Sequence, residues 1–519
     1  MSQIVQQGAL NTTALVVPDV YVQILAPNVA YLNGVPTNVV GFVGVASWGP
    51  VNAPQTIGSA GDISAKVGAM TNRPSDLATA LSVAIQNGSN NMRAVRVTDG
   101  TDVAATGTLV DTVATPLIGL HLTAYYTGTL GNLIQAAVQT GSAAGTFAIV
   151  IQMPGQQPEV FDNIAGTGAA FWANALSAIN NGTNPLRGPS KFVIASAGTS
   201  TSTPKLASIT LTAGTDGATT LTTAKLIGVD GATGTRTGMY SLRGTGASVG
   251  CIVDCYDPTS WTSQLAYGLS EGTYMISAGA PGQTPAAAAT AKATAGVDGY
   301  DLKVLLGDWC YFNDNVNGVT RLLSPATFYA GLLGNLAPQQ SGLNKKVYGI
   351  VATQSSTAGT VYSSADIQSL VQGQIDVICN PVPGGNYFGP RIGHNAASNN
   401  MVWGDNYTRM TNYLAATLAA GMGQFVGYLQ SSSPNDQTRA MVKATIDSFL
   451  QNMVDQGQLD SFSTICDKSN NPDSRIATGY LQVDVTAKYL AVVEKLLVNL
   501  MGGQSVQVAR LSTAPQSII

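Results

Sequence analysis

The run from Val39 to Ala46 is apolar or glycine at every position and stops at the turn-forming Trp48-Gly49-Pro50. It is too continuous for a strand with one face in water. A strand covered on both faces reads this way, and such strands sit in sheets with helices on each side. Asp76 to Gln86 follows with Leu77, Leu81 and Ile85 at helical spacing, and Ala94 to Val97 returns to strand character. Strand, helix and strand in succession predict an α/β core.

After Asp99 the rhythm changes. Between Thr101 and Thr220 only eight residues in 120 are charged, and Gly, Thr, Ala and Ser dominate. Strands are predicted at Leu120 to Ala124, Leu133 to Val138 and Phe147 to Gln152, followed by a helix around Phe171 to Ile179. This is the pattern of a separate β-rich unit. From about Gly214 an α/β alternation resumes, with apolar strands at Cys251 to Cys255, Tyr274 to Ser277 and Leu302 to Leu306. The Ala-rich helix Pro285 to Ala295 lies between the last two, opened by a proline at a favourable first position.

The last third carries two amphipathic helices. Tyr407, Met410, Leu414 and Leu418 mark one face; Val442, Ile446, Phe449, Leu450, Met453 and Val454 mark the other. Asn435 or Asp436 can cap the second helix, and Gly457 can close it. Leu481, Val483 and Val485 then alternate with polar residues, and a helix is expected from about Ala487 to Leu500. A final strand lies around Val506 and Val508. At the other end Val20, Val22 and Ile24 alternate with Asp19, Tyr21 and Gln23 between two prolines. The chain is therefore expected to begin and end in strand-like arms.

Composition narrows the function. Charged residues are 10% of 519, the net charge is −4, and no basic stripe occurs, which excludes phosphate neutralisation as the main task. Nucleic acid is not an expected partner. No apolar run approaches the roughly 20 residues a spanning helix needs, so membrane insertion is not expected. The opening residues lack the basic start and cleavage site of a secretory signal, and five scattered cysteines do not form a disulfide framework. A cytoplasmic product with reduced thiols is the expectation. A surface this poor in charge fits one largely occupied by subunit contacts, where charged residues are depleted.

Catalytic chemistry finds no anchor. Gly246-Ala247-Ser248-Val249-Gly250 has the GxSxG spacing, but it precedes an apolar run where a nucleophile elbow must follow a strand and open a helix. His121 sits within a strand pattern. His394 occupies a polar Gly-rich loop and is the better general-base candidate, so a hydrolase using Ser248 and His394 stands as the enzymatic alternative. Cys251 and Cys255 lack the second ligand pair of a zinc site, and no phosphate-binding loop occurs. No catalytic, cofactor or metal residues are assigned.

Short motifs in a fixed order carry a resemblance. Pro18-Asp19-Val20-Tyr21-Val22, Gly34-Val35-Pro36-Thr37 and Gly41-Phe42-Val43-Gly44-Val45-Ala46-Ser47-Trp48-Gly49-Pro50 open the series. Arg93-Ala94-Val95-Arg96-Val97, Ala124-Tyr125-Tyr126-Thr127-Gly128-Thr129-Leu130-Gly131-Asn132 and Gly214-Thr215-Asp216-Gly217 continue it, and Asn470-Asn471-Pro472 with Gly479-Tyr480-Leu481-Gln482-Val483-Asp484-Val485 closes it. Together they resemble the tail sheath proteins of contractile bacteriophages. Asp19 departs from a common Gly, and Ser341 to Tyr348 replaces a stretch that usually contains Trp and Pro.

The resemblance implies a mixed α/β and β multidomain protein. Its expected parts are an N-terminal strand arm (1–26), the first part of an α/β core (27–100), a β-rich inserted outer domain (101–213), a subtilisin-like α/β domain without the catalytic triad (214–380), a C-terminal α/β domain facing the tube (381–502) and a C-terminal arm (503–519). It implies a structural subunit of the virion tail, assembled in the host cytoplasm. Six-fold rings of this chain would stack around a tail tube, contact baseplate and tail terminator proteins, and contract to deliver the genome. A tailocin or other contractile injection system would use the same subunit. Arms carrying Val20, Tyr21, Val22, Ile24, Val506 and Val508 would add to a neighbour's sheet containing Leu481, Val483 and Val485. On the expected helix, Lys488 and Lys495 stand seven apart and would face the tube.

Overall fold

A computed structural model describes residues 3–5 and 21–23 by their backbone, and residues 32–183 and 187–500 in full. Strands β1 (Gln3–Val5) and β2 (Tyr21–Gln23) pair in parallel, Gln3 opposite Tyr21 and Ile4 opposite Val22. Tyr21 and Val22 of the expected N-terminal arm therefore pair within their own chain. Val20 and Ile24 lie outside the described residues, as do Val506 and Val508.

The core is a six-stranded sheet. The apolar run supplies β3 (Val40–Gly44), β4 is Gln55–Ile57, and β5 is Met92–Arg96. Seven strands later the chain re-enters with β13 (Val249–Ile252), β14 (Tyr274–Ala278) and β15 (Leu302–Leu305). The order is β15-β14-β13-β3-β5-β4, parallel throughout except for β4, with Phe42 opposite Cys251 on one side and Ala94 on the other. Both faces are covered, as the continuous hydrophobicity requires. Val40 and Phe42 pack with Leu77 and Leu81 of helix Leu77–Gln86 and with Tyr329 and Leu333 of helix Pro325–Asn335. Val43 and Val95 face the other way, towards Met239, Trp261 and Val304. Asp76 caps the first helix by accepting from Thr79 N at 3.0 Å.

The charge-poor segment folds over its own hydrophobic cluster, which includes Leu122, Ile149, Phe161, Phe171 and Trp172. Strands β6 (Thr106–Val110), β7 (Ile118–Ala124) and β11 (Val193–Ala197) form one antiparallel sheet. Strands β8 (Gln135–Thr140), β9 (Phe147–Gln152), β10 (Glu159–Ile164) and β12 (Ser208–Thr210) form a second. Helix Ala169–Asn181 contributes Phe171 and Trp172 to the cluster. Polar contacts tie this segment to the core. Arg73 pairs with both Asp76 and Asp216, and Asp216 accepts from Thr129 N at 2.6 Å. The buried Arg96 guanidinium donates to Gly49 O at 2.8 Å and Thr127 O at 2.7 Å. Gly128 sits between them at φ 125°, where a Cβ would stand 2.2 Å from Ser47 O, so only glycine fits.

Smaller ladders follow. β16 (Cys310–Asp314) pairs with β17 (Val319–Leu323) and β18 (Ala352–Thr353), and β19 (Ile378–Cys379) with β20 (Gly389–Pro390). The two expected C-terminal helices are Asp405–Gly421 and Gln437–Asp455, the latter capped by Asp436, with Gly457 at φ 66° just beyond its end. They pack with β21 (Leu459–Ile465) and β22 (Asp484–Tyr489) around Met410, Leu414, Ile446, Leu450 and Leu459.

One expected element is corrected. The helix from Ala487 to Leu500 does not form: Ala487, Lys488 and Tyr489 continue β22, and residues 490–500 have no regular secondary structure. Helical periodicity there is overridden by pairing, since Asp484 to Tyr489 run antiparallel to β21, Ala487 opposite Phe462. Lys488 and Lys495 consequently share no helix face. The strand also begins later than the alternation suggests, at Asp484, although Leu481 and Val483 pack against the same cluster as Val485.

Candidate assembly surfaces

The C-terminal region is fixed to the core by a buried charge cluster. Lys303 on β15 is fully buried, its Nζ 2.7 Å from Asp376 Oδ2, 3.1 Å from Asp405 Oδ1 and 2.8 Å from His394 O. Asp405 opens helix Asp405–Gly421 and accepts the hydroxyls of Tyr274 and Tyr329. Burial alone would raise the Asp405 pKa, but the Lys303 ammonium and the two hydroxyls outweigh it and hold the pKa below the ordinary carboxylate value. Burial followed by the Asp405 charge drives both tyrosine pKa values well above 10. One turn on, Arg409 donates to Leu333 O at 3.0 Å, Leu336 O at 2.6 Å and Ala337 O at 3.0 Å, closing the end of helix Pro325–Asn335.

A chain from the other terminus meets the same helix. Val35 N donates to Thr417 Oγ1 at 3.2 Å, Leu32 joins the C-terminal cluster, and a Cβ on Gly34 would lie 2.0 Å from Tyr413 Oη. Residues 32–35 therefore lie against the domain that carries β21 and β22.

Those two strands form a sheet with two open edges among the described residues. One face is covered by helix Gln437–Asp455; along β22, Val485, Ala487 and Tyr489 are half-buried while Asp484, Thr486 and Lys488 are exposed. Unpaired edges of six or seven residues are templates for another strand. Exposed apolar residues collect nearby. Val426, Leu429 and Tyr480 stand out, and the extended run beyond β22 exposes Val493, Leu496, Leu497, Val498 and Leu500, each more than 70% accessible. Lys488 is paired with Asp460 at 2.7 Å, and this hydrogen bond raises its pKa.

The residues considered for catalysis are used otherwise. Ser248 immediately precedes β13, and its Oγ donates towards Thr37 O at 2.8 Å and Val39 O at 3.1 Å, joining two core strands at their starts. His394 stacks on Trp403, ring centroids 4.3 Å apart, and bonds Glu494, so the structure does not bring it to Ser248 as a base. Cys251 and Cys255 are buried thiols whose pKa values burial raises. His121 lies on β7. No helix among the described residues is long and apolar enough to cross a membrane. The Lys303 cluster and the His394–Glu494 contact were not found from sequence. The one available signal was Lys303 itself, a lone ammonium inside an apolar strand, which demands a buried carboxylate.

Among the described residues, the core is joined to a domain that has open strand edges and exposed apolar segments. Residues 398–501 match the family described as phage tail sheath C-terminal domain. Among solved structures, the chain is similar to a sheath tail protein from Listeria innocua, with TM-score 0.57, 14% identity, and coverage of 87% of this chain and 94% of that one. A sheath tail protein from Desulfitobacterium hafniense gives TM-score 0.53 and 16% identity over 87% and 94% of the two chains. The PVC sheath complex of an extracellular contractile injection system, in its contracted state, gives 0.52 and 12% over 95% and 99%. Comparison with curated protein sequences gives no match. The chain thus has the fold of these sheath proteins, and its residues 398–501 match the model of the tail sheath C-terminal domain.

Proposed function

We propose that this protein is the structural subunit of a contractile tail sheath, polymerising as stacked six-fold rings around a tail tube and contracting to drive the tube through a bacterial envelope. The observation that carries this reading is the tail sheath fold across nearly the whole chain, with the C-terminal domain matched by sequence as well. The core is read as the subtilisin-like α/β domain without a triad, residues 101–213 as the outward insertion and 381–502 as the tube-facing domain. The tube, baseplate and terminator proteins are its expected partners, and the virion tail its place. No catalytic role is assigned, which accords with the structural use of Ser248 and His394.

The open β21–β22 sheet supports a coupling mechanism in which arms from neighbouring copies, carrying Val20 to Ile24 and Val506 to Val508, extend that sheet through main-chain hydrogen bonds. Such head-to-tail contacts do not close on themselves and generate a helix. Contraction is then rigid-body motion of subunits while the arms stay paired, running from a kinetically trapped extended form to one of lower free energy. The similarity to an injection-system sheath over 95% of this chain favours, as the second reading, the same machine in a non-viral injection device. Sedimentation tests the coupling: the full chain should pellet as polymer, and chains lacking residues 1–31 or 501–519 should remain in the supernatant. Equal pelleting by all three would refute arm exchange.

A further inference from the structure

After β22 the chain does not leave the molecule at once. Leu490 O accepts a hydrogen bond from Asn406 Nδ2 at 2.9 Å, and residues 492–495 lie along a groove of about 600 Å³ walled by Leu343, Lys345, Val371, Arg391 and Trp403. At its centre Glu494 Oε1 stands 2.9 Å from His394 Nε2. The imidazole is 4% exposed and the Glu494 side chain 32%. His394 is held from two other sides, by its stack on Trp403 and by its own carbonyl accepting from Lys303. Its Nδ1 is buried without a partner among the described residues, so the tautomer that fits carries the proton on Nε2 and donates it to Glu494. Lys345 and Arg391 line the same groove. Past this point the contacts end and the exposed apolar run Leu496 to Leu500 begins, with nineteen further residues after it.

We infer that the His394–Glu494 contact is the anchor that fixes the C-terminal arm to its own core, so that the arm passes to a second copy of this chain from one defined point instead of swinging from the end of β22. The inference rests on the sheath reading for the identity of the second copy, but the anchor itself is a property of the single subunit. An extended chain covers about 3.3 Å per residue, so the stretch from Leu496 to Ile519 can span at most roughly 80 Å. Anchoring at Glu494 shortens the free segment and thereby raises the effective concentration of its apolar run at the neighbouring subunit.

Trypsin cleavage after the exposed Lys495 reads the anchor directly, in the full-length protein before any polymer forms. Relative to the same change in a peptide of residues 490–500, which corrects for the altered neighbour of the scissile bond, Glu494→Ala should accelerate that cleavage roughly tenfold, the factor expected when one charge-assisted hydrogen bond no longer holds the segment closed. Glu494→Gln, which can still accept from Nε2, should be cleaved more slowly than the Ala variant, and the thermal unfolding of all three should coincide. Glu494→Ala should also pellet less polymer than the unmodified chain. Equal cleavage rates would overturn the anchor, and faster cleavage with undiminished polymer would overturn its role in presenting the arm. If the unmodified chain forms no polymer while cleavage still separates the variants, the sheath reading fails and the anchor stands.

Discussion

Asp301 is the residue whose chemistry is most exposed to measurement. It lies buried at the junction between core and C-terminal helix, its Oδ1 accepting from Asn412 Nδ2 at 2.6 Å, and burial pushes its pKa up to about 7. An unfolded Asp titrates near 4, so between pH 4 and 7 the folded state holds the proton and the unfolded state does not. The stability that Asp301 contributes is therefore fully present below about pH 4 and is lost as pH rises from there through 7, by at most about 1.4 kcal/mol per unit. Asp301→Asn keeps the hydrogen bond and removes the titration, so denaturant midpoints at pH 5 and pH 8 should converge relative to the unmodified protein. Lys303 makes the opposite kind of demand. Lys303→Met leaves Asp376 and Asp405 buried without their cation, and a loss of about 3–5 kcal/mol is expected by chemical denaturation. At Gly128, substitution by Ala forces a Cβ against Ser47 O and a positive φ on a non-glycine residue, which should cost more than about 1 kcal/mol on the same assay.

At the scale of elements, β22 separates pattern from context. Val485 points into the cluster under helix Gln437–Asp455 and Thr486 points out, so Val485→Asp should destabilise the sheet by about 1–3 kcal/mol while Thr486→Asp stays within about 0.5 kcal/mol, read by urea unfolding. The sequence made much of the fold readable where one period dominates a whole element. The run at Val39 to Ala46 became the centre of the core sheet, and the faces Met410/Leu414 and Ile446/Leu450 became the helices that pack the C-terminal domain. It misled at Ala487 to Leu500, where a 3.6-residue repeat coexists with strand alternation and the tertiary partner β21 decides. The alternation around Tyr21 and Val22 marks a strand, but it does not name their partners, Gln3 and Ile4, because pairing is not written in local alternation. The His394–Glu494 contact was invisible for the same reason: a hundred residues separate its members, and neither sits in a motif.

At the scale of the molecule, the core sheet is the hub to which the other described parts are fixed. The core sheet is clamped to the charge-poor segment through Arg73, Arg96 and Asp216 and to the C-terminal helices through Lys303 and Arg409. If the extended form is trapped above the contracted one, scanning calorimetry of assembled sheaths should record heat release on contraction and no second release on rescanning; an endothermic or fully reversible signal would contradict the trapped state. The central claim is that this chain builds a sheath. Negative-stain electron microscopy of the purified full-length protein, alone and co-expressed with its tube protein, tests it most directly. The account predicts hollow, transversely striated tubes with six-fold end views; dispersed monomers under both conditions, at every concentration and salt tried, would contradict it.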